Sequence, residues 1–306
     1  MNARAKSTDP TTPMSITLVT CDREPVLTAS DRLIAAELVG RGCTVRVARW
    51  SDPDVDWTTS ACTVLRSPWD ASARPEEFLK WLALVERQTI LVNAPALVRW
   101  NFDKRYLLAL EANSIPIIST QYRERGQAIS GWTAPWDEVV VKPVIGASSV
   151  GVGQFKLPQQ RLQMERHATI LLEQTGVLLQ RYEPSVRTAM ERSLVFIAGA
   201  YSHAVRRIPF NLGTTPDTDE FDHEASIEEI QLARRALAAA GADAVPYARV
   251  DLLPTNEGLV LMELELIDPA LFLTRRPAAA AELAAALVVC AGRLGQVLPF
   301  EAKGKT

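Results

Sequence analysis

The segment PYARVDLLPTNEGLVLMELELI, residues 246–267, reads as a β-hairpin with its turn at the centre. Side chains alternate between the faces of a strand, so Arg249 and Asp251 share one face of the first strand. Glu263 and Glu265 share one face of the second, and either register that the turn allows brings all four side chains together. Packed carboxylates repel, so the pattern predicts a hard cation such as magnesium, which prefers carboxylate oxygens. The alternative is a solvated strand face, because strand faces are commonly charged.

The segment VVVKPVIGASSVGVG, residues 139–153, is the second pattern with chemical content. A buried-strand run ends at Lys142, and Pro143 cannot continue the ladder. The small residues over 146–151 leave backbone N–H groups free to face an anion. The Lys-Ser/Thr of a P-loop is missing, and the glycine spacing fits neither a dinucleotide fingerprint nor a nucleophile elbow. We therefore expect a phosphate-facing loop, with a flexible surface loop as the alternative.

Lys104 is the third candidate, in the predicted first turn of a helix over 102–112. A cation there is mildly unfavourable against the helix dipole, which indicates an anion nearby. An ordinary solvated lysine is the alternative. Along the chain, Lys104 comes first, then Lys142 with its small-residue loop, and the carboxylate hairpin comes last.

The pattern of predicted strands and helices divides the chain into lobes. Strands alternate with helices over residues 14–98, which indicates a parallel α/β lobe. Residues 99–178 form a second lobe, which includes a predicted strand over 115–120, and residues 179–306 form a third. Residues 1–13 are polar and lack an apolar core, so we expect a disordered leader.

Composition narrows the classes of function. The 306 residues suit two or three lobes, with 47 % apolar and 23 % charged residues. A net charge of −3 gives no general attraction to nucleic acid or anionic membranes, and no apolar run is long enough for a transmembrane helix. The 4 cysteines form no C-x-x-C pair and histidines number only 3, which argues against a zinc site and a disulfide scaffold. We expect a cytoplasmic protein without nucleic-acid or membrane partners.

The order of these motifs resembles the ATP-grasp superfamily, in its glutathione-synthetase-like branch, over about residues 14–295. The phrases VLRSPWD, NAPALVRWNFDKRYLL, VVVKPVIGASSVGV and LMELELIDPALFL are most similar to the cyclo-ligases of D-cycloserine biosynthesis. The resemblance implies an α/β ATP-grasp fold with α+β lobes: an N-terminal parallel α/β lobe, a central lid lobe and a C-terminal antiparallel-sheet lobe. It also implies ATP and Mg²⁺ as cofactors and a small amino-acid-like substrate.

The resemblance further implies roles for individual residues. The nucleotide is expected to contact residues of both lysine motifs and of the segments near the third lobe: Lys104, Lys142, Ser148, Ser149, Gln180, Arg181, Tyr182, Glu183 and Glu191. The expected catalytic residues are basic: Arg249, Lys142 and Arg206. The expected metal ligands are carboxylates: Asp251, Glu263 and Glu265. Glu265 stands where many family members carry asparagine, so this position departs from the family pattern.

Substrate groups are expected at the carboxyl ends of the N-terminal strands. Arg66 can pair with a substrate carboxylate, and a structural ion pair, for example with Asp70, is the alternative. His203 lies on a predicted hairpin, and a structural role is the alternative for it too. The predicted substrate contacts are polar or aromatic: Asp22, Arg66, Trp69 and His203.

The function implied by the resemblance is ATP- and Mg²⁺-dependent ligation of a carboxylate to an amine through an acyl phosphate. The specific expectation is intramolecular cyclisation of O-ureido-D-serine to D-cycloserine. The alternatives are an intermolecular amino-acid or dipeptide ligase and a non-catalytic nucleotide-binding protein. A homodimer is a possible assembly.

Overall fold

The computed structural model describes residues 13–133, 135–208 and 220–292, which contain three β-sheets. The predicted leader lies outside the described residues, apart from Pro13. Within those ranges, no helix is both long and apolar enough to cross a membrane. The sheets follow one another along the chain, one parallel and two antiparallel. The parallel first sheet and the antiparallel third sheet agree with the expected fold.

The N-terminal sheet is parallel and is flanked by helices. Its elements are β1 (Ser15–Thr20), α1 (Ala29–Gly40), β2 (Thr44–Arg49), β3 (Cys62–Leu65), α2 (Pro75–Val85) and β4 (Ile90–Val92). The strand order is β2-β1-β3-β4, and strand residues such as Leu18 and Val64 are fully buried. Thr28 begins α1 by accepting a hydrogen bond from the Asp31 N–H at 3.1 Å. The carboxyl ends of β1 and β3 lead into loops that reach the central cavity.

The connection to the second sheet differs from the sequence prediction. The predicted helix over 102–112 is two helices, α3 (Pro95–Phe102) and α4 (Tyr106–Ala112), with Lys104 in the break between them. The Lys104 N–H donates to the Val144 carbonyl at 2.8 Å, so this residue is tied to the loop after Lys142 and precedes the first turn of α4.

The predicted strand over 115–120 is also wrong. Ile117 forms only an isolated bridge to Leu261, because the Pro116 carbonyl accepts the Leu261 N–H at 2.8 Å. Regular pairing starts at Thr120, where the second sheet begins. The segment therefore fastens the connection to the third sheet, a contact that strand periodicity cannot reveal.

The central sheet is antiparallel and carries one helix on one face. Its elements are β5 (Thr120–Arg123), β6 (Glu138–Pro143), β7 (Gly153–Lys156), α5 (Arg161–Gln174) and β8 (Val177–Arg181). The strand order is β5-β8-β6-β7, so the glycine-rich loop connects two neighbouring strands, β6 and β7. Val139 and Val141 of β6 pack with Met164 and Ala168 of α5. The strand β8 crosses the predicted boundary between residues 178 and 179.

The C-terminal sheet is antiparallel and contains the carboxylate hairpin. After α6 (Ser185–Thr188), its elements are β9 (Glu191–Ile197), β10 (Ala200–Arg207), β11 (Glu220–His223), α7 (Ile227–Ala239), β12 (Tyr247–Thr255) and β13 (Gly258–Glu265). The strand order is β11-β10-β9-β12-β13. Arg249 pairs with Glu265 and Asp251 with Glu263, so the predicted shared face is confirmed. A register shift follows Asp251, beyond the charged pairs.

The first and third sheets share a hydrophobic core through α8 (Ala278–Ala291). Leu283 and Leu287 of this helix are fully buried in one cluster with Leu18 of β1 and Val195 of β9. The alanine-rich sequence allows close approach of α8 to α1, since alanine adds little volume. The alanine-rich helix α8 therefore packs against the first sheet.

Candidate active site

A cavity of about 530 Å³ has lining residues from all three sheets. The predicted site residues on its lining are Trp69, Lys104, Lys142, Ser148, Ser149, Gln180, Arg181, Tyr182, Glu183, Glu191, Arg249, Glu263 and Glu265. Asp251 is fully buried and contacts Arg249 of this lining. Five predicted residues lie outside the lining: Asp251, Asp22, Arg66, His203 and Arg206.

Three carboxylates form a cluster on the shared face of β12 and β13. Asp251, Glu263 and Glu265 each offer an oxygen, and these oxygens lie within 4.8 Å of one another. The Arg249 guanidinium donates to both oxygens of Asp251 at 2.9 Å and also pairs with Glu265. Burial alone raises the pKa of Asp251, but Arg249 and Arg207 outweigh it and hold the pKa below its usual range. The cluster is thus a set of carboxylate oxygens at metal-ligand spacing, which suits a hard divalent cation.

Two lysines face the same cavity from different elements. The Lys104 ammonium group forms an ion pair with Glu263. Lys142 lies near the end of β6, and no carboxylate in the described part of the chain lies within 4.0 Å of its ammonium group. Burial, together with repulsion from Lys104, lowers the pKa of Lys142 to about 7. A bound anion would restore that pKa, so the pair is suited to hold phosphate oxygens.

The loop between β6 and β7 has a backbone shaped for an anion. Ser148 and Ser149 have φ of 51° and 57°, and Gly151 has φ of 76°, so three residues lie in the left-handed region. A side chain at Gly146 would place its Cβ 2.9 Å from the Pro143 ring. Residues 146–150 line the cavity, and such turns present backbone N–H groups in one direction.

The end of β8 supplies another part of the cavity lining, where contacts with the nucleotide are predicted. The N–H groups of Arg181 and Tyr182 donate to backbone carbonyls of Ser119 and Glu138, both at 3.0 Å. A base at this part of the lining would therefore meet side chains and carbonyls of these two residues. The Arg181 guanidinium donates to Glu183 at 2.6 Å, so the side chain of Glu183, a predicted nucleotide contact, is already oriented by its neighbour.

Arg207, and not the predicted Arg206, faces the cavity. The Arg207 side chain pairs with Glu191 at 2.5 Å and lies 3.4 Å from Asp251. Arg206 is exposed and lies over the ring of Phe221, because neighbouring residues of β10 point to opposite faces of the sheet. Burial raises the pKa of Glu191 in spite of Arg207. The sequence offered the alternation rule, but not the face that the cavity would occupy.

Arg66, a predicted substrate contact of the N-terminal lobe, has a structural partner instead. Arg66 is buried, with its Nε donating to Asp31 at 2.8 Å. It is thus a structural ion pair, although the partner is not Asp70, which accepts from Trp50 at 2.6 Å. Both partners of the Arg66 pair are 2 % exposed, so a substrate carboxylate cannot reach it.

Asp22 and His203, which were also predicted to contact the substrate, likewise have partners within the protein. Asp22 pairs with Arg49 and Arg74, both at 3.0 Å, at the surface. His203 lies beyond the register shift of β10, and its Nε2 is 3.0 Å from the Leu271 carbonyl. Burial lowers the pKa of His203, which favours a neutral, structural imidazole.

Asp268 is a lining residue that the sequence analysis did not single out. It follows β13 within the phrase ELELIDP, and burial raises its pKa to about 7 with a further contribution from the charge of Glu265. Arg23, after β1, also lines the cavity. Both follow the end of a strand, which is the signal that could have identified them.

Comparisons with known proteins relate this site to described enzymes. Residues 16–93 match the sequence family described as the N-terminal domain of the D-cycloserine synthetase DcsG. The cycloserine biosynthesis protein DcsG of Streptomyces lavendulae is 33 % identical over 252 residues, which cover 76 % of this chain and 84 % of that protein.

Solved structures share the fold. The crystal structure of D-cycloserine synthetase DcsG aligns with a TM-score of 0.82 at 31 % identity, over 92 % of this chain and 99 % of that chain. A RimK domain ATP-grasp protein from Sphaerobacter thermophilus aligns with a TM-score of 0.67 at 18 % identity, over 89 % and 98 % of the two chains. The predicted ATP-grasp fold is confirmed.

Proposed function

Because this chain belongs to the DcsG family of D-cycloserine synthetases, we propose a specific reaction for it. The family consists of ATP-grasp ligases, so the chain is an ATP-dependent enzyme that forms a C–N bond. The proposed reaction is the cyclisation of O-ureido-D-serine to D-cycloserine. The observation that carries the proposal is a single cavity that brings together two lysines, Arg207, Arg249 and a cluster of carboxylates.

The residues present fit ATP and a magnesium ion. Lys142, with no carboxylate within 4.0 Å in the described ranges, is a cation available to phosphate oxygens, and the loop over 146–151 presents backbone N–H groups beside it. Asp251, Glu263 and Glu265 would hold magnesium, whose charge would help to neutralise the phosphates. Glu265 supplies an anionic oxygen where many relatives have an amide, and a carboxylate oxygen is a suitable ligand for a hard cation.

The proposed reaction has three steps: phosphoryl transfer, ring closure and hydrolysis of the carbamoyl group. An oxygen of the substrate carboxylate attacks the γ-phosphorus of ATP, and the bond to the β-phosphate oxygen breaks, which gives ADP and an acyl phosphate. The ureido nitrogen bonded to oxygen attacks the acyl carbon and loses its proton, and phosphate leaves as the ring closes. Water then removes the carbamoyl group as carbamate.

The residues of this chain contribute mainly through electrostatics. Lys104, Lys142 and Arg249 would offset the charge that accumulates when a carboxylate approaches the phosphates. Arg207 pairs with Glu191 and lies beside Asp251, so both carboxyl groups are held in place and keep their geometry. The loop over 146–151 would cover the acyl phosphate and exclude water until ring closure.

The experiment that tests this proposal measures release of ADP and phosphate with magnesium ATP across a panel of amino acids. The panel holds O-ureido-D-serine, its L enantiomer, D-serine and D-alanine, and product masses are determined. We expect turnover with O-ureido-D-serine alone and the mass of the ring product. Turnover that requires two amino acids, with a dipeptide mass, would show an intermolecular ligase. ATP binding without turnover on any compound would contradict the ligase activity itself.

A further inference from the structure

Asp268 differs from the other acidic side chains of the cavity in its surroundings. Each of the other lining carboxylates has a basic partner within 4.0 Å: Glu183 with Arg181, Glu191 with Arg207, Glu220 with Arg275, Glu263 with Lys104, and Glu265 with Arg249. Among the described residues, no basic side chain lies within 4.0 Å of the Asp268 carboxylate. Among the lining carboxylates of the described residues, Asp268 is thus the one without a basic side chain within 4.0 Å, although Arg66 and Arg249 attract it from farther away.

The backbone around Asp268 is held firmly. The Tyr247 hydroxyl donates to the Ile267 carbonyl at 2.9 Å, and Arg66 donates to the Pro269 carbonyl at 3.0 Å. Arg249 donates to the Ala270 carbonyl at 3.3 Å. Tyr247 and Arg66 are buried, and Arg66 is itself fixed by Asp31, so the carbonyls on both sides of Asp268 have rigid donors. A carboxylate without a basic partner on a fixed backbone is a preorganised site for a cation of the substrate.

We propose that Asp268 binds the α-ammonium group of the amino-acid substrate and thereby fixes the orientation of the substrate in the cavity. This inference rests on the proposed function, since the substrate of that reaction carries an α-amino group that takes no part in ring closure. A carboxylate partner favours the charged ammonium form, which has no lone pair and cannot attack. The ureido nitrogen is then the nucleophile that reaches the acyl phosphate. The substrate class is an α-amino acid with a second nitrogen nucleophile in its side chain.

The charge of the cavity supports this assignment. Burial and the nearby Glu265 raise the pKa of Asp268 to about 7 when no cation is bound. A bound ammonium group supplies the missing positive charge and would return that pKa towards its usual range. The metal-site carboxylates already have Arg249 and Lys104, so a substrate ammonium gains most from pairing with Asp268.

The test compares two substrates on three proteins. The substrates are O-ureido-D-serine and the analogue in which hydrogen replaces the α-amino group. The proteins are the wild type, Asp268→Asn, and the control Asp54→Asn, which changes an exposed aspartate of the first lobe. Steady-state kcat and KM are measured for each substrate and for ATP.

We expect Asp268→Asn to raise the KM for O-ureido-D-serine about 10- to 100-fold, which is the loss of a charge-assisted hydrogen bond. The KM for ATP and the kinetics with the deamino analogue should stay within about 2-fold of wild type, since neither ligand carries the ammonium group. Asp268→Glu keeps the charge and should restore part of the preference for the amino substrate. Asp54→Asn should behave as wild type.

The outcomes separate this inference from the proposed function. If the wild type cyclises O-ureido-D-serine and Asp268→Asn keeps the full preference for the amino substrate, the ammonium site is overturned and the proposed function stands. If the wild type does not turn over O-ureido-D-serine, the proposed function fails. Calorimetry with D-serine and 3-hydroxypropanoate then decides the ammonium site: a preference for D-serine that Asp268→Asn removes supports it, and equal affinity overturns it.

Discussion

At the scale of single residues, charge in the cavity is balanced by pairing. Arg249 is shared between Asp251 and Glu265, and Arg207 lies between Glu191 and Asp251. This sharing places a cation between closely spaced carboxylates, which reduces their mutual repulsion and keeps the pKa of Asp251 below its usual range. Lys142 differs from these groups. Within the ranges that the structure describes, no carboxylate lies within 4.0 Å of its ammonium group.

Lys142→Met should abolish ATP turnover and leave the ligand-free protein at least as stable as wild type at pH 7. The folded pKa of Lys142 is about 7, below the ordinary 10.5, so between these values the unfolded chain binds more protons. The free energy of unfolding of the wild type therefore rises with pH over that window. The advantage of the methionine variant in melting temperature should shrink towards pH 10. Thermal melts at pH 7 and pH 10 check this.

The control for this prediction is Lys80→Met, which changes an exposed lysine of α2. It should alter neither turnover nor the pH dependence of melting. Near-normal ATP turnover in Lys142→Met would remove Lys142 from the phosphate site.

Glu263→Gln should raise the magnesium concentration for half-maximal activity by about 10- to 100-fold, because an amide oxygen is a weaker ligand for a hard cation. Glu263 is better for this test than Asp251, which is fully buried and holds Arg249 in place. Magnesium titrations at fixed ATP provide the measurement. Glu77→Gln, at a side chain 64 % exposed, is the control, and an unchanged requirement in Glu263→Gln would make the hairpin cluster structural.

At the scale of elements, the alternation of β10 decides which arginine takes part. Arg207→Met should lower kcat/KM strongly and cost roughly 3–5 kcal/mol of stability, because Glu191 and Asp251 lose a buried cation. Arg206→Met, one residue away on the opposite face, should stay within about 0.5 kcal/mol of wild type. Steady-state kinetics and chemical denaturation of the two variants check the pair. Equal effects of both substitutions would contradict the assignment of faces.

The loop between β6 and β7 offers a second comparison of this kind. Gly151 and Gly126 have φ of 76° and 79°, so alanine at either position should cost about 1 kcal/mol of stability. Only Gly151 belongs to the loop beside the cavity, and its Cβ would approach the Leu171 side chain at 3.2 Å. Gly151→Ala should therefore raise the KM for ATP, and Gly126→Ala should not. A raised KM in both variants would point to a general loss of stability as the cause.

At the scale of the whole molecule, one hydrophobic cluster links the first and third sheets. Leu287→Ala should lower stability by about 2–5 kcal/mol, because it leaves a cavity in that cluster. Val289→Ala, at an exposed position of the same helix, should have little effect. Unfolding followed by circular dichroism and by the fluorescence of the 7 tryptophans, of which Trp50, Trp57, Trp69 and Trp81 lie in the first lobe, should shift as one transition. Two separate transitions would show that the first lobe unfolds independently.

Local sequence patterns were sufficient for the parallel first sheet and for part of the site, whereas the antiparallel third sheet was expected from the family resemblance. The parallel first sheet followed from alternating strands and helices, and the face shared by Asp251 and Glu263 followed from strand periodicity. These features are set by residues near one another in the chain. The order of Lys104, Lys142 and the hairpin along the chain then indicated the superfamily through its resemblance to the order of motifs in ATP-grasp enzymes.

The tertiary structure alone decided which charges face the cavity. Arg66 turned inward to Asp31, Arg207 replaced Arg206, and Asp268 entered the lining although no motif marked it. Side-chain periodicity states which residues share a face, but the identity of that face depends on how distant elements pack. The partner of a buried charge is likewise chosen by proximity in space and by the cost of desolvation. Sequence by itself therefore determined the architecture and the chemical class of this protein, and packing determined the individual contacts of its active site.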